Sequence, residues 1–261
     1  MIRTMIRTAA ALTVLAVLAA PAVHAQGFGN IKGQIVWAGD PPAAEALKLD
    51  KDAAVCLAHG ALLSQKYVVD PKSKGVRYLV VWLVDPKAGN VIKGPPVNPA
   101  LKAIPAKDKK VVIDQPFCQF EPHVLALREG QSLVIRNSAK IPHNTNIVSS
   151  GSNPNLNPII APGDSKTVPA SDWHASPSAS SVSCTIHGWM KGYIRVFNHP
   201  YFAVTDANGN FEIKGIPAGT WNLIVWHEEK GYDATAGGKT GTPVTVTASE
   251  TKDLGKIDMK P

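Results

Sequence analysis

Beyond its first 25 residues the chain never sustains a helical period, and this limits its fold more than any other feature. Its apolar residues come in short runs rich in Val, Ile, Trp and Tyr, each closed by Gly, Pro, Asn or Asp. Branched and aromatic side chains suit the pleated surface of a strand, whereas Gly and Pro punctuate turns. The predicted class is therefore all-β. Strands are expected over 31–37, 78–84, 111–114, 123–127, 132–136, 144–148, 180–184, 192–197, 203–205, 210–213, 221–226, 244–246 and 256–259. A short helix is expected within 47–58, and Asp206-Ala207-Asn208-Gly209-Asn210 carries the residues of a tight hairpin turn.

The first residues have the form of an export signal. Arg3 and Arg7 precede an apolar stretch from Ala9 to Ala20, and Val23-His24-Ala25 offers small residues for cleavage. That stretch is shorter than the roughly 20 residues that cross a bilayer. No later stretch approaches this length, so no membrane span is expected. The destination is periplasmic or secreted, an oxidising environment. Lys and Arg together number 27 against 20 acids, but they are scattered, and Lys107-Asp108-Lys109-Lys110 reads as a solvated connection. Without a basic helix or an aromatic RNA-binding motif, nucleic acid is not an expected partner.

Three cysteines leave at least one without an intramolecular partner. Cys184 opens the run Cys184-Thr185-Ile186-His187-Gly188-Trp189-Met190, and Pro142-His143-Asn144 lies 41 residues before that cysteine. A thiolate, two imidazoles and a thioether form a soft ligand set suited to copper cycling between two oxidation states. Singly, each residue has a bland role: a structural cysteine, surface histidines, a methionine filling a core. Their conjunction in an exported all-β chain points to copper. Cys56 and Cys118 then remain, and a disulfide, two free thiols, or a further metal site of Cys56 with His59 are all open. His123, near Cys118, and His227, in Trp226-His227-Glu228-Glu229, read as structural or surface histidines, with a second metal site as the alternative. His59, His174 and His199 have no coherent spacing.

Further motifs carry a family resemblance. Phe120-Glu121-Pro122, Val124-Leu125-Ala126-Leu127-Arg128-Glu129-Gly130 and Ser132-Leu133-Val134-Ile135-Arg136-Asn137 resemble successive strands of the cupredoxins, the plastocyanin and amicyanin family. Pro142-His143-Asn144 matches that family's first-ligand segment, and Cys-x2-His-x2-Met its short amicyanin-type loop. The resemblance covers 110–198. It implies a Greek-key β-barrel binding one type 1 copper through His143, Cys184, His187 and Met190. It further implies that Asn144 ties the loop near Thr185. The ring edge of His187 would reach the surface through an apolar collar, for which Trp189 and Pro142 are candidates. Gly188 departs from the proline that usually follows the histidine of an amicyanin loop.

The run from Val204 through the Asn208-Gly209 turn to Pro217-Ala218-Gly219-Thr220-Trp221 resembles a carboxypeptidase regulatory-like domain, a transthyretin-like β-sandwich. Its first strands would be 29–37 and 78–84. The expected organisation is a signal peptide at 1–25, an N-terminal part of the sandwich at 26–109, a cupredoxin domain at 110–198 and the rest of the sandwich at 199–261. Three sequential pieces are the alternative. The whole resembles larger exported bacterial proteins of the methylamine utilisation type. Electron transfer is the expected function, with a cytochrome or a dehydrogenase or oxidase as partner. No His-x-His pair supplies the extra ligands of a copper oxidase or nitrite reductase, so no enzyme activity is expected. Copper delivery or storage without electron transfer is the runner-up, weakened by a count of only four methionines.

Overall fold

The computed structural model describes residues 27–260, and the export signal expected over 1–25 lies outside them. The chain runs through β1 (Phe28–Trp37), a single helical turn α1 (Ala53–Cys56) and β2 (Val80–Val84). Next come β3 (Lys110–Ile113), β4 (Val124–Arg128), β5 (Ser132–Arg136), β6 (His143–Asn144), β7 (Asn146–Val148), β8 (Ile159–Ile160), β9 (Ser165–Val168), β10 (Ser180–Ser183) and β11 (Lys191–Phe197). Last are β12 (Phe202–Val204), β13 (Asn210–Pro217), β14 (Gly219–His227), β15 (Gly231–Tyr232), β16 (Thr242–Val246) and β17 (Thr251–Met259). The molecule is all-β, as its alternating and short apolar runs require.

The strands pair in two groups. β1 lies between β13 and β17, while β2 lies between β12 and β14, which also pairs with β15 and β16. Between them in sequence, β3, β5 and β9 form one sheet and β4, β11, β10 and β7 another, with β6 paired to β8. Strands from both chain ends therefore share sheets, and β3–β11 pair only among themselves within the described residues.

Side-chain alternation explains the layering. Along β5, Leu133 and Ile135 turn inward to the core of the β3–β11 barrel, with Leu127, Val182 and Ile194. Along β13, Phe211 and Ile213 enter the sandwich core. β2 is buried at every position. Val81 and Leu83 face the sandwich core, while Val80, Trp82 and Val84 join a third cluster with Val124 and Phe197 of the barrel. β14 divides in the same way, with Val225 on one side and Ile224 on the other. Unbroken apolar runs are what strands covered on both faces need. The sandwich sheet holding β2 is thus the middle layer between the sandwich core and the barrel.

The expected hairpin turn is present: Asp206 Oδ1 accepts from the N–H groups of Asn208 and Asn210, and Gly209 takes φ 78°. The expected helix within 47–58 is reduced to the one turn of α1. Two barrel strands, β8 and β9, lie outside the expected set. Ser165, Lys166 and Thr167 are exposed and only Val168 is buried, so β9 lacks the apolar alternation that marks a strand.

Candidate metal centre

Cys184 follows directly on β10, and the next six residues fold back upon it. The Met190 N–H donates to the His187 carbonyl at 2.9 Å, and the Cys184 N–H to the Met190 carbonyl at 3.4 Å. Among the described residues, His143, Cys184 and His187 are the one group whose potential ligand atoms all lie within 4.8 Å of one another, and all three are buried. His143 Nδ1 and His187 Nδ1 are 2.9 Å apart, and Cys184 Sγ is 3.9 Å from His187 Nδ1. An ion with bonds of about 2.0–2.3 Å spans such separations. Two imidazoles and a thiol that can ionise fit a soft or borderline metal, copper among them. Met190 is fully buried in the same core cluster as Cys184.

The first ligand is held by its approach. Asn137 Nδ2 donates to the carbonyls of Ile141 and Ile160, both at 2.9 Å, and its Oδ1 accepts from the Ala139 N–H. The bend leading to Pro142 is thereby fixed, and β6 then pairs His143 with Ile160. Burial, followed by the neighbouring His187, pushes the His143 pKa down to about 4, against a smaller upward pull from Asp52. At neutral pH its imidazole is uncharged and offers a lone pair, the form that binds metal.

Asp114 pins the same bend from beneath. Its carboxylate accepts from Arg136 Nε at 2.8 Å, Ser138 Oγ at 2.9 Å, and the N–H groups of Gln115 and Ser138. Burial raises its pKa, but hydrogen bonds from Arg136, Gln115 and Ser138 outweigh burial and hold it below the usual carboxylate range. A depressed folded pKa gives stability present above the unfolded value, near 3.9, and lost as pH falls through the folded one. Asp114→Asn is expected to cost about 1–3 kcal/mol at pH 7. Urea denaturation should show that gap closing as the pH is lowered below about 4; a gap that stays constant would contradict the assignment.

Asn144 governs the second ligand segment. Its Oδ1 accepts from the Thr185 N–H at 2.8 Å, Thr185 Oγ1 at 3.1 Å, the Ile186 N–H at 3.2 Å and the Cys184 thiol at 3.1 Å. Its Nδ2 donates to Asn157 Oδ1. One amide thus ties β6 to the Cys184 loop.

The His187 edge differs from the expected arrangement. The residue has no exposed surface, and its Nε2 lies 2.8 Å from Asp52 Oδ2. Asp52, from the 45–64 segment, meets the edge that the cupredoxin resemblance would leave open. Pro142 is exposed, whereas Trp189 is half-buried with its ring centroid 5.0 Å from that of His187. Trp189 Nε1 donates to the Cys118 carbonyl at 3.0 Å. Cys118 is itself joined to Cys56 by a disulfide, so neither sulfur is left for a site with His59, whose ring packs edge-on against Phe117. Gly188 is exposed and has open space around it.

His123 and His227 meet elsewhere, at the junction of barrel and sandwich. His123 Nε2 is 2.8 Å from Glu228 Oε1, and His227 Nε2 is 3.6 Å from Glu228 Oε2, all with buried side chains. His123 Nδ1 contacts the Lys191 carbonyl and His227 Nδ1 accepts from the Glu229 N–H. His123 thus links barrel to sandwich through Glu228, whereas His227 contacts its own chain neighbours Glu228 and Glu229. Asn137, Asn157 and Asp52 escaped the sequence reading. Asn137 closes the Ser132–Arg136 strand motif and could have been suspected as a turn former, but Asp52 lies 135 residues from the histidine it meets.

Comparison with known proteins gives partial likenesses. A family model described as polysaccharide lyase family 4, domain II, matches residues 173–254. No curated protein matches. Among solved structures, a purple cupredoxin from Nitrosopumilus maritimus is 18% identical with TM-score 0.28, covering 33% of this chain and 98% of that one. The oxidised state of a proline-to-alanine mutant of amicyanin is 23% identical with TM-score 0.30, covering 34% and 83%. A copper-containing nitrite reductase from Thermus scotoductus is 21% identical with TM-score 0.31, covering 39% and 27%. The family match corrects the carboxypeptidase regulatory-like resemblance of the C-terminal part. That resemblance rested on Asn208-Gly209 and Pro217-Ala218-Gly219-Thr220, turn residues that many β-sandwich hairpins use. The matched stretch also begins before residue 199, and so takes in Cys184, His187 and β11.

Proposed function

We propose that this chain is an exported type 1 copper protein that passes single electrons between redox proteins, and is not an enzyme. One observation carries the reading: His143 Nδ1, His187 Nδ1 and Cys184 Sγ converge in a fully buried cluster. His143, Cys184 and His187 would hold the ion, and Met190, buried in the same cluster, would offer its thioether. Copper bound there supplies a one-electron Cu(II)/Cu(I) couple. The protein's part is to keep the ligands still. Asn137 fixes the approach to His143, and Asn144 fixes the Cys184 loop. Burial excludes water, and held ligands limit rearrangement when charge changes. Trp189 touches the His187 ring and lines a cleft with Lys66, Lys191 and Glu229, which makes it the route by which an electron would enter or leave. A partner such as a cytochrome, dehydrogenase or oxidase would dock briefly, since weak electron-transfer encounters bury little surface. The signal-like segment over 1–25 supports a periplasmic or secreted site of action.

Titrating metal-free protein with Cu(II) tests the reading. One equivalent should produce an intense blue colour from charge transfer between thiolate and copper, reversibly bleached by a one-electron reductant. Cys184→Ala should remain folded and colourless. A colourless copper complex of the unaltered protein would sink electron transfer and favour delivery or storage instead.

A further inference from the structure

The unexpected neighbour of the metal-ligand cluster is Asp52. It sits on an excursion of the chain over 45–64, closed at its base by the Ala46–Leu63 bridge. There the Leu47 N–H donates to the Leu62 carbonyl and the Ser64 N–H to the Glu45 carbonyl, both at 2.8 Å. Gln119 Nε2 donates to the Leu63 carbonyl at 2.7 Å, and the Cys56–Cys118 disulfide fastens the middle of the excursion to the barrel. Cys56 and Leu62 are buried in the barrel core, and Leu47 and Leu49 pack against it. Asp52 has the left-handed φ of 51° that Asp tolerates, and its carbonyl accepts from the N–H groups of Val55 and Cys56. The segment therefore delivers its carboxylate to His187 from a fixed platform.

We propose that Asp52 is a positioning residue for the metal centre: it holds His187 by its Nε2–H so that Nδ1, which converges with His143 Nδ1 and Cys184 Sγ, would be left to bind a metal, and the disulfide-anchored 45–64 segment acts as a cap over the His187 edge. The inference rests on the copper reading above for its redox consequence, but the cap itself does not need the metal. A carboxylate on the far nitrogen fixes the ring's orientation and tautomer and makes the ligand nitrogen a stronger donor. Both effects, with the negative charge, favour the more highly charged Cu(II) state. The covered edge also moves partner access from His187 to Trp189, which is half-buried beside it.

Two measurements decide it. First, metal-free protein is treated with diethyl pyrocarbonate and His187 acylation is followed by mass spectrometry. Protection is expected in the unaltered chain, with at least fivefold faster modification in Asp52→Ala and in the Cys56→Ser/Cys118→Ser pair. Secondly, copper-loaded Asp52→Asn should be three- to tenfold more readily reduced at a fixed poise, an upward shift of about 30–59 mV for one electron. The Asp52 side chain is 44% exposed, so its variants should fold even if the double cysteine variant does not. Equal acylation rates in the unaltered and Asp52→Ala chains would overturn the cap. An unchanged potential in a blue Asp52→Asn protein would overturn the positioning role. If the unaltered protein never turns blue, the copper reading fails by itself, and the acylation rates alone then uphold or overturn the contact.

Discussion

Replacing Arg195 with alanine should destabilise the protein by about 3–5 kcal/mol, among the largest single losses the fold can show. Arg195 lies on β11 and is 1% exposed. Its guanidinium sits 4.6 Å from the ring centre of Trp82, 5.0 Å from that of Trp226 and 5.8 Å from that of Tyr232. Its Nη2 donates to the Pro177 carbonyl at 3.0 Å. A barrel strand thus pushes one cation into an aromatic cage supplied by β2, β14 and β15, the sandwich sheet it packs upon. Desolvated cation–π contacts are worth up to about 2 kcal/mol each, and truncation adds a large cavity. Lysine should not rescue fully, because a compact ammonium neither stacks on the rings nor keeps the guanidinium geometry. Methionine should lose less than alanine, because it fills the space without burying a charge. Urea denaturation of the three variants gives the order. A loss under about 1 kcal/mol for alanine, the size of an ordinary substitution, would mean that the cage does not couple the two layers.

The apolar strands were legible because burial dictates their sequence. Val80-Val81-Trp82-Leu83-Val84 is unbroken since a layer covers each face, and Leu133 and Ile135 alternate with more exposed neighbours since only one face of β5 is covered. β9 was not legible, because an exposed strand with three polar positions has no pattern to read. The ligands stood out through local spacing: Cys184, His187 and Met190 share one loop, and His143 opens a strand. Contact between distant, chemically common residues leaves no such local mark. Asp52 is one of several acids on a polar stretch, and nothing near it in sequence assigns it to His187. Cys56 and Cys118 could be counted but not joined, since parity permits several outcomes. The surface-reaching edge of His187 failed as an expectation for the same reason, although Trp189 does pack beside the ring: Asp52, which meets that edge, comes from outside 110–198.

Asn144→Leu should cost about 3–4 kcal/mol and also disturb the metal centre. Leucine shares the branching of asparagine but is bulkier and accepts nothing. The N–H groups of Thr185 and Ile186 would lose their shared acceptor, and Asn157 Oδ1 would lose its donor. Each buried polar group left unpaired costs about 1–3 kcal/mol, while some of these groups can turn to water because Thr185 is exposed. Asn144→Asp provides the contrast. It keeps an acceptor for Thr185 and Ile186, so stability should fall less, but it sets a negative charge where Asn144 Oδ1 now stands 3.1 Å from Cys184 Sγ. Like charges at that distance oppose ionisation of the thiol, and metal binding needs the thiolate. Leucine should therefore give the less stable protein, and aspartate the weaker copper binding at equal stability. Denaturation of the metal-free variants and Cu(II) titration of the folded ones separate the two effects. Equal copper affinity in aspartate and unaltered protein would show that Asn144 acts on the loop backbone alone, not on the sulfur.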